Sequence, residues 1–139
     1  MSRVLILCTG NSCRSQMAEG LLRSMDGRAE VYSAGTFPAA HVHPLAVRVM
    51  EEIGIDISSA IPKSVEQFTG KSFDAVITVC DDAREACPVF TGDVKRRIHR
   101  AFKDPSFAHG TPEEVLQAFR GVRDEMKGYL QGLAKELEG

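Results

Sequence analysis

The sequence predicts an α/β fold in which a four-stranded parallel sheet is flanked by helices, giving a single three-layer domain. Short apolar runs bounded by turn residues alternate with segments whose apolar residues recur at helical spacing. Such an alternation favours right-handed βαβ units, which build a parallel sheet covered on both faces. The chain has 139 residues, of which 43% are hydrophobic, and we expect residues 1–139 to share one core.

The first half of the chain contains two predicted strands and two predicted helices. Residues 4–7 form a buried strand, and residues 15–25 form a helix with its apolar side chains on one face. Residues 30–35 form a second short strand. A helix over residues 44–53 begins with a proline, which suits a first turn, and ends where Gly54 can cap it.

The second half adds two strands and a long helix. Residues 73–80 form the clearest strand, which ends in Cys80, and residues 97–102 form a weaker strand. The terminal helix, residues 111–139, opens with a capping threonine followed by Pro112 in the first turn. Interior glycines weaken this helix and allow close packing against it. They are Gly121, Gly128 and Gly132.

The composition excludes several classes of protein. The net charge is −2, which gives no basic footprint for nucleic acid. No apolar run approaches the roughly 20 residues that span a bilayer, so we expect no membrane partner. The apolar part of the N-terminus is too short for a secretory signal, and we therefore expect a cytoplasmic protein. In a reducing compartment, cysteines are more often catalytic, redox-active or metal-binding than structural. The chain has four, at Cys8, Cys13, Cys80 and Cys87.

Cys8 and Arg14 enclose a five-residue loop between the first strand and the first helix. Backbone N–H groups in such a loop converge on one point, and the helix N-terminus adds positive potential, so the loop suits an oxyanion. The guanidinium of Arg14 matches a tetrahedral anion, and the same surroundings favour the nucleophilic thiolate of Cys8. We expect Ser15 to donate a hydrogen bond to the sulfur, Asn11 to brace the loop, and Gly10 to let the backbone turn inward. The predicted oxyanion-binding residues are Thr9, Gly10, Asn11, Ser12, Cys13 and Arg14.

The segment CTGNSCRSQMAEG, residues 8–20, resembles the cradle loop of the low-molecular-weight tyrosine phosphatase superfamily. More narrowly, it resembles the thioredoxin-coupled arsenate reductases that share this fold. The similarity covers nearly the whole chain, including VYSAGT, HPLAVRVMEEIGIDIS, DAVITVCDDAREACP, FKDP and FRGVRDEM. The opening motif does not separate a reductase from a phosphatase, and the segment from Cys80 to Cys87 does most to separate them.

The resemblance implies a relay of three thiols that needs no bound cofactor. Cys8 attacks arsenate, for which phosphate and sulfate are mimics, and Cys80 then attacks Cys8 so that arsenite leaves. Cys87 attacks Cys80 and carries the disulfide outward to thioredoxin, which the resemblance favours over glutaredoxin by analogy. Asp104, in the turn FKDPS, is the implied general acid. From the residues alone, Cys8 and Cys80 could be buried packing cysteines, and Asp104 an ordinary turn aspartate.

The spacing of Cys80 and Cys87 predicts a conformational change. The two residues are seven positions apart, and seven helical steps span roughly 10.5 Å. A disulfide requires Cα atoms within about 7 Å, so the pair cannot close over an intact helix. Either the segment between the two cysteines is already looped, or oxidation unravels a helix there. We predict the second, a redox-linked rearrangement of residues 81–89. Cys13, inside the loop, is expected to pack behind the cradle as a small side chain.

No metal dependence is predicted. Zinc spacings such as C-x2-C are absent, and the histidines follow neither cysteine pair closely. The resemblance implies a potassium site formed by an asparagine, a glutamate, a serine and an aspartate. Asn11, Glu19 and Ser33 match the first three. Lys63 stands at the aspartate position, where its ammonium could replace the cation, or it could be an ordinary exposed lysine.

Three functions compete on this sequence. The leading hypothesis is a thioredoxin-dependent arsenate reductase. The second is a phosphotyrosine phosphatase that uses Cys8, Arg14 and Asp104 without the relay. Ser106 and Phe107 leave only a thin wall for a tyrosine-sized slot. A side phosphatase activity is nevertheless expected, because phosphate and arsenate have nearly the same shape. The third is a non-catalytic oxyanion or redox sensor, for which no output domain is visible.

Overall fold

The computed structural model describes residues 2–25, 29–81 and 89–138. The strands are β1 (Arg3–Cys8), β2 (Glu30–Gly35), β3 (Phe73–Thr78) and β4 (Val94–His99). The α-helices of the described part are α1 (Arg14–Met25), α2 (Pro44–Glu51) and α3 (Pro112–Glu138), and Val65–Phe68 and Pro105–Phe107 are short 3-10 helices. The strands form one four-stranded parallel sheet, as the sequence predicts, and their order in the sheet is β2-β1-β3-β4.

The sheet is covered on both faces because side chains of its central strand alternate between two apolar clusters. Val4 and Ile6 pack with residues of all three α-helices, whereas Leu5 and Leu7 pack with aromatic side chains on the opposite face. The side chains of these four residues are completely buried. The aromatic residues of the second cluster are Phe68, Phe73 and Phe90, with Tyr32 at its edge.

Strand β4 is the element whose bounds differ most from the prediction. It begins at Val94, three residues before the predicted start, and ends at His99. β4 is an edge strand, and the charged side chains at its centre are exposed. Charged side chains blunt edge strands against further pairing, but they also hide the apolar pattern by which a strand is recognised in a sequence.

The helix ends follow the predicted capping residues. The hydroxyl of Thr111 accepts a hydrogen bond from the N–H of Glu114, whose carboxylate accepts from the N–H of Thr111, both at 3.1 Å. This reciprocal pair is a capping box. Helix α2 ends at Glu51 rather than at residue 53, and Gly54, with φ of 81°, turns the chain away.

The glycines inside α3 do not serve the close packing that the sequence suggests. A Cβ atom placed on any of them would meet no atom within 4 Å. They therefore lie toward open space and leave the helix locally weaker than alanine would. Within the described residues, no helix is long and apolar enough to cross a membrane.

Candidate active site

The fold places Cys8 at the carboxyl end of β1, next to the N-terminus of α1. Because β1 lies between β2 and β3, Cys8 pairs with Gly35 of β2, and Leu7 pairs with Thr78 of β3. The side chain of Cys8 is 2% exposed. Ligands of open parallel sheets lie beyond the carboxyl ends of the strands, which is where this loop lies.

The carbonyl oxygens of the loop are held by the chain that follows β2. Those of Thr9, Gly10 and Ser12 accept hydrogen bonds of 2.8–2.9 Å from backbone N–H groups of residues 37, 39 and 43. These bonds satisfy the loop acceptors and fix the loop to its neighbour. The cradle is therefore a rigid part of the fold before any oxyanion enters.

Two hydrogen-bonding groups contact the sulfur of Cys8. The backbone N–H of Asn11 donates to Sγ at 3.3 Å, and Oγ of Ser15 lies 2.9 Å from Sγ. Asn11 has φ of 49°, a left-handed conformation that asparagine tolerates better than most residues. The Ser15 hydroxyl therefore lies at hydrogen-bonding distance from the sulfur, on the side where the sequence predicts it.

Asn11 braces the loop through all of its side-chain hydrogen-bonding groups. Its Nδ2 donates to Oγ of Ser15 at 2.7 Å and to Oγ of Ser33 at 2.9 Å. Its Oδ1 accepts from Nε2 of Gln16 at 3.0 Å and from the backbone N–H of Lys63 at 2.8 Å. Because Ser15 accepts from Asn11, its own hydroxyl hydrogen is left to point at the sulfur of Cys8.

The glycine that permits close approach is Gly35, and the expectation for Gly10 is wrong. A Cβ atom on Gly10 would make only ordinary contacts, at 3.8 Å and beyond. On Gly35 it would lie 2.4 Å from the carbonyl oxygen of Thr9 and 2.9 Å from the nitrogen of Asn11. The end of β2 thus packs directly against the backbone of the cradle, which only glycine allows.

Arg14 and Asp104 form an ion pair at the mouth of the cradle. Nη2 of Arg14 lies 3.3 Å from Oδ2 of Asp104, and Nη1 donates to the carbonyl oxygen of Phe102 at 3.3 Å. Oδ1 of Asp104 accepts from the backbone N–H of Ser106 at 2.9 Å and from its hydroxyl at 2.7 Å. The guanidinium is 3% exposed and the carboxylate 16%, so both are held in fixed positions beside the loop.

Cys13 packs into the buried core behind the loop, as expected, and it also touches the candidate acid. Its side chain is 5% exposed, and Sγ donates to Oδ1 of Asp104 at 3.4 Å. Burial, reinforced by the negative charge of Asp104, raises the pKa of the Cys13 thiol far above its usual range. Cys13 is therefore a neutral donor rather than a second nucleophile.

The cradle opens into a cleft of about 530 Å³. Its rim carries groups that the sequence did not single out as site residues, including Lys103, the exposed ring of Phe107, and His109. Asp81 contributes a second carboxylate. The full lining is Thr9, Gly10, Arg14, Asp81, Lys103, Asp104, Phe107, Ala108 and His109.

The described cysteines are in two different states. Cys8 and Cys13 are free thiols, whereas Cys80 is disulfide-bonded and completely buried. Cys80 lies two residues beyond β3, where Val79 donates to the carbonyl of Leu7, and it belongs to the same apolar cluster as Cys8. Cys87 and the predicted rearrangement of residues 81–89 fall largely outside the described residues.

No metal centre built from side chains is found in the described part of the chain. There, no three histidine, cysteine, aspartate or glutamate side chains come together as metal ligands would. His43 instead caps α2 by accepting from the N–H of Leu45 at 3.1 Å. His99 lies 2.6 Å from the hydroxyl of Thr78.

The fold and this site define a class of protein. A buried thiol at the base of a strand-to-helix loop, with an arginine and an aspartate at its mouth, is typical of enzymes that attack tetrahedral oxyanions through cysteine. The chain belongs to the low molecular weight phosphotyrosine protein phosphatase family, whose sequence profile matches residues 3–139.

Relatives of this chain are named arsenate reductases rather than phosphatases. The chain is 48% identical to the arsenate reductase of Halalkalibacterium halodurans over 124 residues, which is 88% of each chain. It is 44% identical to the arsenate reductase of Bacillus subtilis over 133 residues, covering 95% of this chain and 94% of that one. A solved structure of an arsenate reductase in its phosphate-binding state superposes with a TM-score of 0.80 at 33% identity, covering 98% of both chains.

Proposed function

We propose that this protein is an arsenate reductase that passes electrons through Cys8, Cys80 and Cys87 and is reduced by thioredoxin. One observation carries the proposal: a fully buried Cys80 is disulfide-bonded in the same cluster as a free Cys8 thiol, which lies at the base of an oxyanion cradle. A phosphatase needs the cradle and an acid but no second cysteine, because its chemistry involves no change of oxidation state. A buried redox-active cysteine beside the nucleophile is what a reductase adds.

In the first step, the thiolate of Cys8 attacks the arsenic atom of arsenate held by the loop N–H groups and Arg14. A bond between sulfur and arsenic forms, and one bond between arsenic and oxygen breaks. The departing oxygen leaves as water when Asp104 supplies a proton, because hydroxide is a poor leaving group. Loop amides and the guanidinium stabilise the negative charge of the remaining oxygens.

In the second step, Cys80 attacks the sulfur of Cys8. The bond between sulfur and arsenic breaks, its electron pair stays on arsenic, and arsenite leaves with arsenic reduced from the +5 to the +3 state. A disulfide between Cys8 and Cys80 remains. In the third step, Cys87 attacks Cys80, and Cys8 leaves as a thiolate, ready for another arsenate.

The burial of Cys80 supplies the reason for a third cysteine. In the disulfide-bonded state of this structure its side chain is 0% exposed, so a protein dithiol has no direct path to the sulfur of Cys80. Thiol–disulfide exchange requires access to the attacked sulfur. We propose that Cys87 brings the disulfide to the surface, where the two thiols of thioredoxin reduce it and become oxidised in turn.

A coupled assay tests the proposal. The protein is mixed with arsenate, thioredoxin, thioredoxin reductase and NADPH, and the loss of NADPH is followed for the wild type and for Cys87→Ala. The wild type is expected to turn over continuously. Cys87→Ala is expected to stall after about one equivalent of arsenite per enzyme, because its disulfide stays inside the protein.

A phosphatase using Cys8, Arg14 and Asp104 is the second candidate. The cleft of about 530 Å³, with the ring of Phe107 on its rim, is larger than arsenate alone requires and has room for an aryl group. Hydrolysis of an aryl phosphate is therefore measured with the same variants. Equal hydrolysis by the wild type and Cys87→Ala, with no oxidation of NADPH by either, would replace the reductase proposal with this one.

A further inference from the structure

A nearly buried carboxylate lies behind the cradle, on the first helix. Glu19 of α1 is 8% exposed, and among the described residues its Oε1 accepts no hydrogen bond. A buried carboxylate is unstable unless hydrogen bonds or a nearby positive charge compensate for its lost hydration. The neighbours of Glu19 must therefore supply that charge.

Arg23 supplies only part of the positive charge that Glu19 needs. Its Nη1 lies 3.4 Å from Oε2 of Glu19, one turn along the same helix. Its Nε and Nη2 both donate to the carbonyl oxygen of Val31, at 3.1 and 2.6 Å. The Arg23 side chain is also 55% exposed, so solvent weakens its effect on the buried carboxylate.

Lys63 approaches the other carboxylate oxygen. Its Nζ lies 4.0 Å from Oε1 of Glu19 and donates to the carbonyl oxygen of Ile61 at 3.2 Å. The Lys63 side chain is 28% exposed, about half as exposed as that of Arg23. It is therefore better shielded from solvent and is not the ordinary exposed lysine that the sequence left open.

The backbone of Lys63 belongs to the cradle support. Its N–H donates to Oδ1 of Asn11 at 2.8 Å, and its carbonyl oxygen accepts from the N–H of Gly35 at 2.8 Å. The same residue thus holds the loop with its main chain and faces Glu19 with its ammonium.

The residues present do not fit the potassium ion that the family resemblance implies. Oδ1 of Asn11 already accepts two hydrogen bonds, and a carbonyl oxygen has two lone pairs. The fourth implied ligand, an aspartate, is replaced by Lys63, whose ammonium has no lone pair and repels a cation. Glu19 and Ser33 alone are too few oxygen ligands for a monovalent metal ion.

We propose that the ammonium of Lys63 is a tethered cation that neutralises buried Glu19 and takes the place of that potassium ion. The charge is delivered by the chain itself, so the cradle keeps its support in any monovalent salt. The inference concerns stability and salt, and it does not depend on whether arsenate is the substrate.

The first test compares Tm values at equal ionic strength in potassium chloride and in tetramethylammonium chloride. The wild type is expected to have the same Tm in both salts. Lys63→Asp removes the ammonium and places a second carboxylate beside Glu19, so its Tm is expected to be higher in potassium, which can approach the two carboxylates, than in the larger tetramethylammonium ion. When the potassium concentration is about ten times the dissociation constant of Lys63→Asp for potassium, the expected rise in Tm for a chain of 139 residues is about 5 °C. A potassium-specific rise in the wild type, or none in folded Lys63→Asp, would overturn the proposal.

A second test does not require Lys63→Asp to fold. Lys63→Met removes the charge but keeps much of the apolar stem, and it is made both in the wild type and in Glu19→Gln. Lys63→Met is expected to lower Tm strongly in the wild type, where residue 19 is a carboxylate, and weakly in Glu19→Gln, where it is an amide. Only the carboxylate needs a cation. Lys127→Met, at an exposed position of α3, controls for the loss of a lysine. If Lys63→Met lowered Tm equally in the wild type and in Glu19→Gln, the proposal would be wrong.

Discussion

Arg14 and Asp104 are ion-paired across the mouth of the cradle, with Nη2 of the arginine 3.3 Å from Oδ2 of the aspartate. The two side chains therefore hold each other in position beside the loop. A tetrahedral anion offers Arg14 a second partner with better geometry for its planar fork. We infer that oxyanion binding draws the guanidinium away from Asp104, whose carboxyl then carries the proton for the departing oxygen.

This relationship predicts opposite effects of Asp104→Asn on turnover and on binding. Arsenate turnover is expected to fall by about 10²–10⁴-fold, the range typical of a lost general acid. Phosphate, a mimic that undergoes no reduction, is expected to bind at least as tightly, because Arg14 no longer has a competing carboxylate. The measurements are kcat in the coupled assay and the Kd of phosphate by calorimetry.

Asp93→Asn is the matched control for the loss of a carboxylate, since Asp93 is exposed in the segment before β4. It is expected to leave both quantities unchanged. If Asp104→Asn kept the wild-type kcat, Asp104 would be a turn residue rather than an acid. If phosphate affinity fell with kcat, the ion pair would be needed to hold the cradle itself.

The contact between Ser15 and Cys8 predicts slower thiol chemistry in Ser15→Ala. The hydroxyl lies 2.9 Å from the sulfur, and a hydrogen bond to a charged group contributes about 1.5–3 kcal/mol. Alkylation of Cys8 by iodoacetamide at neutral pH is expected to slow by about tenfold or more, because the reacting sulfur loses the hydrogen bond of the Ser15 hydroxyl. Ser24→Ala, which removes a hydroxyl that donates to the carbonyl of Leu21 within α1, is expected to react like the wild type. Unchanged alkylation in Ser15→Ala would show that the backbone N–H groups suffice.

The close approach of Gly35 to the cradle predicts severe damage from a single methyl group. In Gly35→Ala the Cβ atom would lie 2.4 Å from the carbonyl oxygen of Thr9, and neither atom can move without a shift of the backbone. Phosphate binding is expected to be lost, and the urea midpoint is expected to fall. Gly121→Ala faces open space in α3 and is expected to stabilise the protein by about 0.5–1 kcal/mol. A Gly35→Ala protein that binds phosphate normally would contradict the rigid cradle.

The residues that sequence could identify are those whose role is local. Cys8 and Arg14 stand in one short loop, and Thr111 caps the helix that immediately follows, so chain order alone indicates their task. The sequence does not show whether Gly35 or Gly10 allows the close backbone approach, because a clash with a distant loop does not affect the choice of neighbouring residues. The strand order and the site geometry follow from long-range packing, which a single sequence does not specify.

The sequence fails to predict the contacts of Cys13 and of Lys63 for the same physical reason. Cys13 meets Asp104 across 91 positions of sequence, and Lys63 meets Asn11 across 52. Both contacts depend on the register of strands and the path of loops to within an ångström or so, since hydrogen bonds weaken steeply with distance and angle. Sequence patterns locate elements to within a few residues, which is too coarse to predict such contacts.

The ion pairs of Glu52 predict how stability depends on pH. Glu52 follows the last turn of α2, and its carboxylate accepts from Arg120 at 2.6 Å and from Arg123 at 2.8 Å, both on α3. The hydrogen bonds from Arg120, followed by those from Arg123, lower the pKa of Glu52 from 4.5 to about 2. Because the folded value is the lower one, the contribution to stability is present above pH 4.5 and is lost as the pH falls toward 2.

Glu52→Gln is therefore expected to lower Tm at neutral pH, and its difference from the wild type is expected to shrink below pH 4.5 and to disappear near pH 2. Glu51→Gln, at the neighbouring exposed position of α2, controls for the loss of a negative charge at this helix end. The measurement is thermal unfolding by circular dichroism across this range of pH. A difference that stayed constant with pH would mean that Glu52 contributes through packing, because only an ionised carboxylate loses its partners when it is protonated.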